Sequence, residues 1–196
     1  MKTSNKFTLV RILFAPVFLL IFFLPEWTNC DALNPVTALV LIPLFAFVEF
    51  TDFLDGYYAR KHNEVSDFGK LFDPFADVVF HLTTFSCCVF IEKMPVVLFM
   101  FIVYREFGMN FVRMVAAKQG IAIAARKGGK FKTVLYIVSA AMCLFAECLV
   151  RLRVDISPLE PAATIFMHIL FVMCLIASYA SFIDYLVAFK HVLKKD

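Results

Sequence analysis

An all-α bundle of six membrane-spanning helices is the fold class this sequence predicts, and three observations predict it. Hydrophobic residues make up 62% of the 196-residue chain, with 25 Phe among them, whereas an ordinary soluble domain is about 45–50% apolar. The apolar residues gather into six runs, roughly 8–25, 35–57, 70–91, 94–117, 132–150 and 161–189, near the ~20 residues a helix needs to cross a hydrocarbon core. Within each run they are continuous and not alternating, which argues against a membrane barrel, and open sheet edges are not viable in lipid.

Lys2, Lys6 and Arg11 stand at the start of the first run, and Pro25-Glu26-Trp27 follows it where a cleaved leader would show small residues, so it reads as a retained span. Asn5, Thr8 and Arg11 form a polar entry to it, for which a helix cap and charge anchor is the plain reading. The second and third runs flank a short polar stretch from about Lys61 to Phe68 and carry aspartates at their facing ends. Arg105, Glu106 and Arg113 interrupt the fourth, and Gly128-Gly129-Lys130-Phe131-Lys132-Thr133 leads into the fifth. The sixth is long enough to tilt or to extend beyond the bilayer. No linker or composition shift divides the chain, so residues 1–196 read as a single integral-membrane domain. The six cysteines contain no CxxC pair and read as small core residues, and His81 and His168 as packed polar residues.

Charge sets the expected orientation. Fourteen of the 19 Lys and Arg fall on one side: Lys2, Lys6, Arg11, Arg60, Lys61, Lys70, Lys118, Arg126, Lys127, Lys130, Lys132, Lys190, Lys194 and Lys195. Lys93, Arg151 and Arg153 occupy the opposite loops. The positive-inside rule then puts both termini at the cytoplasmic face. A net charge of +3 with no basic aromatic surface gives no nucleic-acid footprint.

The stretch from Asp52 to Asp77 holds the chemistry. At about 100° per residue, Asp52 and Asp55 point within about 60° of each other, and Asp73 and Asp77 within about 40°. An antiparallel hairpin of the second and third helices would bring all four into one water-filled hollow. A lone intramembrane Asp costs roughly 2.5–3.5 kcal/mol at a helix centre, so four require cations or water. Carboxylate and water suit a hard divalent cation, Mg²⁺ or Mn²⁺. Gly56 and Gly69 allow close approach, and the fork of Arg60 suits a phosphate oxygen. Acidic metal site, glycines and arginine together point to phosphate-ester chemistry.

These residues carry a resemblance. Asp52-x-x-Asp55-Gly56-x-x-Ala59-Arg60, eight residues, then Gly69-x-x-x-Asp73-x-x-x-Asp77 resembles the signature of the CDP-alcohol phosphatidyltransferases. The resemblance implies a homodimer of a bacterial inner membrane that uses Mg²⁺ or Mn²⁺, as one or two ions, on Asp52, Asp55, Asp73 and Asp77. It implies a donor, CDP-diacylglycerol, bordered by Asn5, Thr8, Arg11, Gly56, Ala59, Arg60 and Gly69, with Asp77 as general base and CMP as leaving group.

Arg105 and Arg113 lie eight residues apart, about 80° on the helical wheel. Their plain role is to neutralise Glu106 or the aspartates; with Lys130 and Lys132 they also make a second phosphate pocket. In this the chain resembles the phosphatidylglycerophosphate synthase branch, whose acceptor is glycerol 3-phosphate. Glu49 and Val78 depart from that branch, and an extra acid with a missing base suits a neutral or cationic alcohol; inositol phosphate, serine and choline stand as alternative acceptors. From a different class, a small ion or solute carrier would bind its cargo on the same acids, although no inverted repeat or broken pair of spans is visible.

Overall fold

The computed structural model describes residues 3–61, 67–121, 123 and 126–190, leaving undescribed the side chains at 3–6, 53, 55–60, 67, 70 and 127. Among the described residues the chain forms α1 (Thr3–Thr28), a 3₁₀ turn (Asp31–Leu33), α2 (Asn34–Lys61), α3 (Asp67–Phe90), α4 (Val96–Lys118), α5 (Lys127–Arg151) and α6 (Glu160–Ala188). At 1.5 Å per residue these helices are about 34–44 Å long, more than the ~30 Å of a hydrocarbon core. All six apolar runs become helices. Four helical stretches, Phe7–Thr28, Leu33–Asp52, Gly128–Arg151 and Glu160–Ala188, are long and apolar enough to cross a membrane. α3 and α4 have the length, but α3 carries Asp73, Asp77 and His81, and α4 carries Arg105, Glu106 and Arg113. Those charges lower their apolarity because they build the site.

Four helices stop in the same way. After α1, α3, α4 and α5 a residue with positive φ (Asn29, Glu92, Gly120, Arg153) turns the chain. The next N–H then bonds back to the last turn, as from Ile121 to the Ala116 carbonyl and from Val154 to the Leu149 carbonyl. This double-bonded stop satisfies carbonyls that the helix itself leaves open.

α1 packs on both α2 and α3, α5 on α2, α3 and α6, and α4 on α3 and α6. The core is aromatic and small by turns: Phe18 and Phe45 meet Phe80, and Phe85 meets Phe171 and Tyr136. Ala15, Ala38, Cys87, Cys88 and Cys143 fill the spaces between. The cysteines are free and all but Cys30 are buried, as small core residues should be. Many other Phe side chains, including Phe47, Phe101, Phe107 and Phe111, stay exposed on the outside of the bundle.

The expected hairpin of α2 and α3 turns through residues outside the described ones, but Asp52 of α2 and Asp73 and Asp77 of α3 do come to one hollow. Among the described residues these two helices meet through side chains, Phe45 on Phe80 and Glu49 against His81, while each packs directly on α1. Two bulky aromatics hold them apart, and the gap between their polar ends is where α1 delivers its own polar residues.

Candidate active site

Thr8 and Arg11 lie inside α1, three residues apart and so on one face, and they reach across to α2 and α3. Thr8 Oγ1 donates to Asp73 Oδ1 at 2.6 Å. Arg11 Nη1 donates to Asp52 Oδ1 at 2.6 Å and to Asp77 Oδ1. Neither residue is a cap or an anchor at the helix end. Arg11 is 2% exposed while the Asp52 side chain is 41% exposed, so the guanidinium forms the floor of the acid cluster and the carboxylates open outward from it. The side chains of Asn5, Asp55, Ala59 and Arg60 and the surroundings of Gly56 are undescribed; Gly69 is buried at the start of α3.

The donor set fits a hard cation. Oxygens of Asp52 and Asp77 already converge on one positively charged nitrogen, a spacing at which two carboxylates can share a charge. Among the described residues no three His, Cys, Asp or Glu side chains close on one point; Asp55, one turn from Asp52, is outside that description.

The opposite wall is basic. On α4, Arg105 Nη1 donates to Glu106 Oε2 at 2.8 Å and its Nε to the Ser178 carbonyl of α6 at 2.8 Å. From α5, Lys132 Nζ reaches Glu106 Oε1 at 2.8 Å, and the Tyr136 hydroxyl donates to the same oxygen at 2.9 Å. Glu106 therefore holds two cations and a phenol in a buried knot. Such a carboxylate is stable only with its charge answered and its lone pairs filled. Arg113 and Lys130 are placed differently. Arg113 buries its Nε without a hydrogen-bond partner among the described residues, and Lys130 is exposed.

One cavity of about 460 Å³ joins the two walls: Asp52, Asp73 and Asp77 line one side, and Arg105, Arg113, Lys130 and Lys132 the other. Asp52 and Asp77 pair with Arg11, and Arg105 with its sequence neighbour Glu106, which divides the pairing that sequence spacing left open. A second, apolar groove of about 550 Å³ runs between α2 and α5 past Phe45, Glu49, Ala141 and Phe145, and shares Ile137 with the first.

Sequence reasoning missed two participants. His81 is packed, as expected, but it also lines the cavity, and its Nε2 lies 3.3 Å from Glu49 Oε1. The signal was present: His81 follows Asp77 by four residues and Glu49 precedes Asp52 by three, so both share a face with an aspartate. The tie of Tyr136 to Glu106 had no such signal, because 30 residues separate them.

Comparison with known proteins matches residues 1–192 to the CDP-alcohol phosphatidyltransferase family. The chain belongs to that family. A relative from Treponema pallidum, named CDP-diacylglycerol–glycerol-3-phosphate 3-phosphatidyltransferase, is 35% identical over 100% of this chain and 92% of its own length. Proteins of the same name from Bacillus subtilis and Rickettsia typhi are 37% and 30% identical, over 71% and 73% of this chain and 75% and 76% of their own lengths. The chain is thus a phosphatidyltransferase.

Proposed function

We propose that this phosphatidyltransferase moves the phosphatidyl group of CDP-diacylglycerol to glycerol 3-phosphate, giving phosphatidylglycerophosphate and CMP. The observation that carries this reading is the two-walled cavity: acids for the pyrophosphate and its metal, bases for an acceptor that brings its own phosphate. Asp52, Asp55, Asp73 and Asp77 would hold Mg²⁺, or Mn²⁺, as one or two ions. A cation held there would supply positive charge against the negative charge that builds on the transferring and leaving phosphates. Thr8 and Arg11 fix the directions of Asp73, Asp52 and Asp77. Asp77 takes the proton of the acceptor hydroxyl as its oxygen bonds to the phosphatidyl phosphorus, and the bond to CMP breaks with its electron pair leaving on CMP. Arg113 and Lys130 seat the acceptor phosphate, while Glu106 keeps Arg105 and Lys132 facing the same space.

Gly56, Ala59, Arg60 and Gly69 would border the nucleotide, with Asn5, Thr8 and Arg11 beside them. The α2–α5 groove suits the acyl chains, since it is apolar and opens from the cavity at Ile137. Glu49 is not an unanswered acid facing the acceptor, because His81 stands against it, which favours an anionic acceptor over a cationic one. We place all six helices in a bacterial inner membrane as one unit, with termini and site cytoplasmic, on the charge bias of the loops. A homodimer is the assembly that the family resemblance implies.

Purified protein in detergent with CDP-diacylglycerol and Mg²⁺ should release CMP with glycerol 3-phosphate and not with inositol phosphate, serine, choline or no acceptor. Chelation should abolish release, and Mg²⁺ or Mn²⁺ should restore it. Release with another alcohol alone would reassign the acceptor; none with any acceptor would favour a carrier.

A further inference from the structure

The mechanism leaves one buried pair unused. His81 is 4% exposed and lines the cavity. Its Nε2 lies 3.3 Å from Glu49 Oε1, an ion-pair distance that falls short of full hydrogen-bond geometry, so neither atom is fully satisfied among the described residues. The ring is steadied by Tyr136, whose ring meets it edge-on at 5.8 Å and whose hydroxyl is tied to Glu106. A fixed, buried imidazole with an unsatisfied nitrogen is unfavourable by itself. It is suited to a small polar group that arrives with the substrate.

We propose that His81, held against Glu49, recognises the secondary hydroxyl of the acceptor and so sets acceptor specificity. This rests on glycerol 3-phosphate being the acceptor. His81 lies four residues beyond Asp77 on α3, one turn or about 6 Å further along the same face. Glu49 lies one turn back from Asp52 on α2, so the pair sits one layer below the carboxylates. An acceptor whose reacting hydroxyl is at Asp77 and whose phosphate is at Arg113 and Lys130 spans the cavity, leaving its middle carbon over this layer. Of the neighbouring lining residues, Val78, Val134 and Ile137 are apolar, Arg105 and Lys132 are committed to Glu106, the Thr133 hydroxyl donates to the Gly129 carbonyl, and the Tyr185 hydroxyl accepts from the Arg126 N–H. His81 is the polar group left to meet that hydroxyl. An imidazole presents a donor or an acceptor in either tautomer, and a hydroxyl answers both. A site built around such a bond rejects the analogue that lacks the hydroxyl.

The test compares kcat/KM for glycerol 3-phosphate and 3-hydroxypropyl phosphate, the same acceptor without its middle hydroxyl, using the full chain in detergent with CDP-diacylglycerol and Mg²⁺. Wild-type protein should prefer glycerol 3-phosphate by about 10- to 100-fold, the worth of one buried hydrogen bond to a polar ring. His81→Leu should narrow the preference to about threefold or less, by losing glycerol 3-phosphate and keeping 3-hydroxypropyl phosphate. His81→Gln, which restores a donor, should recover part of it. The double variant E49L/H81L strands no buried charge and so covers the case in which His81→Leu does not fold. A wild-type ratio near one overturns the proposal by itself. So does an equal loss of both acceptors in the Leu variants, which is what a structural or proton-carrying histidine would give. Wild-type protein that uses neither acceptor contradicts the proposed function instead, which keeps the two failures apart.

Discussion

At the end of the bundle remote from the cavity, Arg151 donates to Glu147 at 2.7 Å and to the Phe22 carbonyl and Thr37 Oγ1 at 3.0 Å, with its guanidinium 4.4 Å over the Phe22 ring. There too, Lys93 binds Glu160 at 2.8 Å and Thr164 at 3.1 Å. At the cavity end, one guanidinium, Arg11, is divided between two carboxylates, and Arg113 buries a nitrogen with no partner among the described residues. Both ends bury arginine, and desolvation weighs on both. What differs is the match: the remote end answers Arg151 and Lys93 within the chain, and the cavity end has acid left over on one wall and base on the other. Matched charge ties helices together, here α1, α2 and α5. Unmatched charge is kept for ligands.

Substitutions at the two ends should therefore separate into activity and stability. Asp77→Asn keeps size and shape but cannot take a proton, so turnover should fall by about 10²–10⁴-fold with CDP-diacylglycerol binding retained; retained turnover would remove Asp77 from the base role. Glu106→Gln probes a matched group inside the cavity. It leaves Arg105 and Lys132 with a neutral partner in a buried place, and should lower stability by about 3 kcal/mol or more, read as a drop in thermal midpoint in detergent. Arg151→Ala should lower stability by about 1–3 kcal/mol and leave kcat unchanged. A fall in kcat without a fall in stability would break the division between the ends.

Much of this was legible in the sequence, for definite reasons. The six helices follow from six long, continuous apolar runs, four of which are apolar enough to cross a membrane. The aspartate pairs follow from spacings of three and four, which helical geometry converts into shared faces. What spacing does not convey is which helix comes between two others. Arg11 stands 41 residues from Asp52 and 66 from Asp77, and only packing shows that α1 serves both. The same holds for Glu106 and Lys132, 26 residues apart: each reads as a functional charge in its own helix, and only the fold shows that they satisfy each other. Arg113 and Lys130 are thereby left as the cations with capacity for a ligand.

That division of the basic wall is most directly tested by steady-state kinetics of Arg113→Ala with each substrate varied in turn. The KM for glycerol 3-phosphate should rise by about tenfold to a hundredfold, as loss of a charge-assisted contact to phosphate requires, with the KM for CDP-diacylglycerol within about twofold of wild type. Equal rises for both substrates, or no rise for glycerol 3-phosphate, would contradict the assignment of the acid wall to the donor and the basic wall to the acceptor.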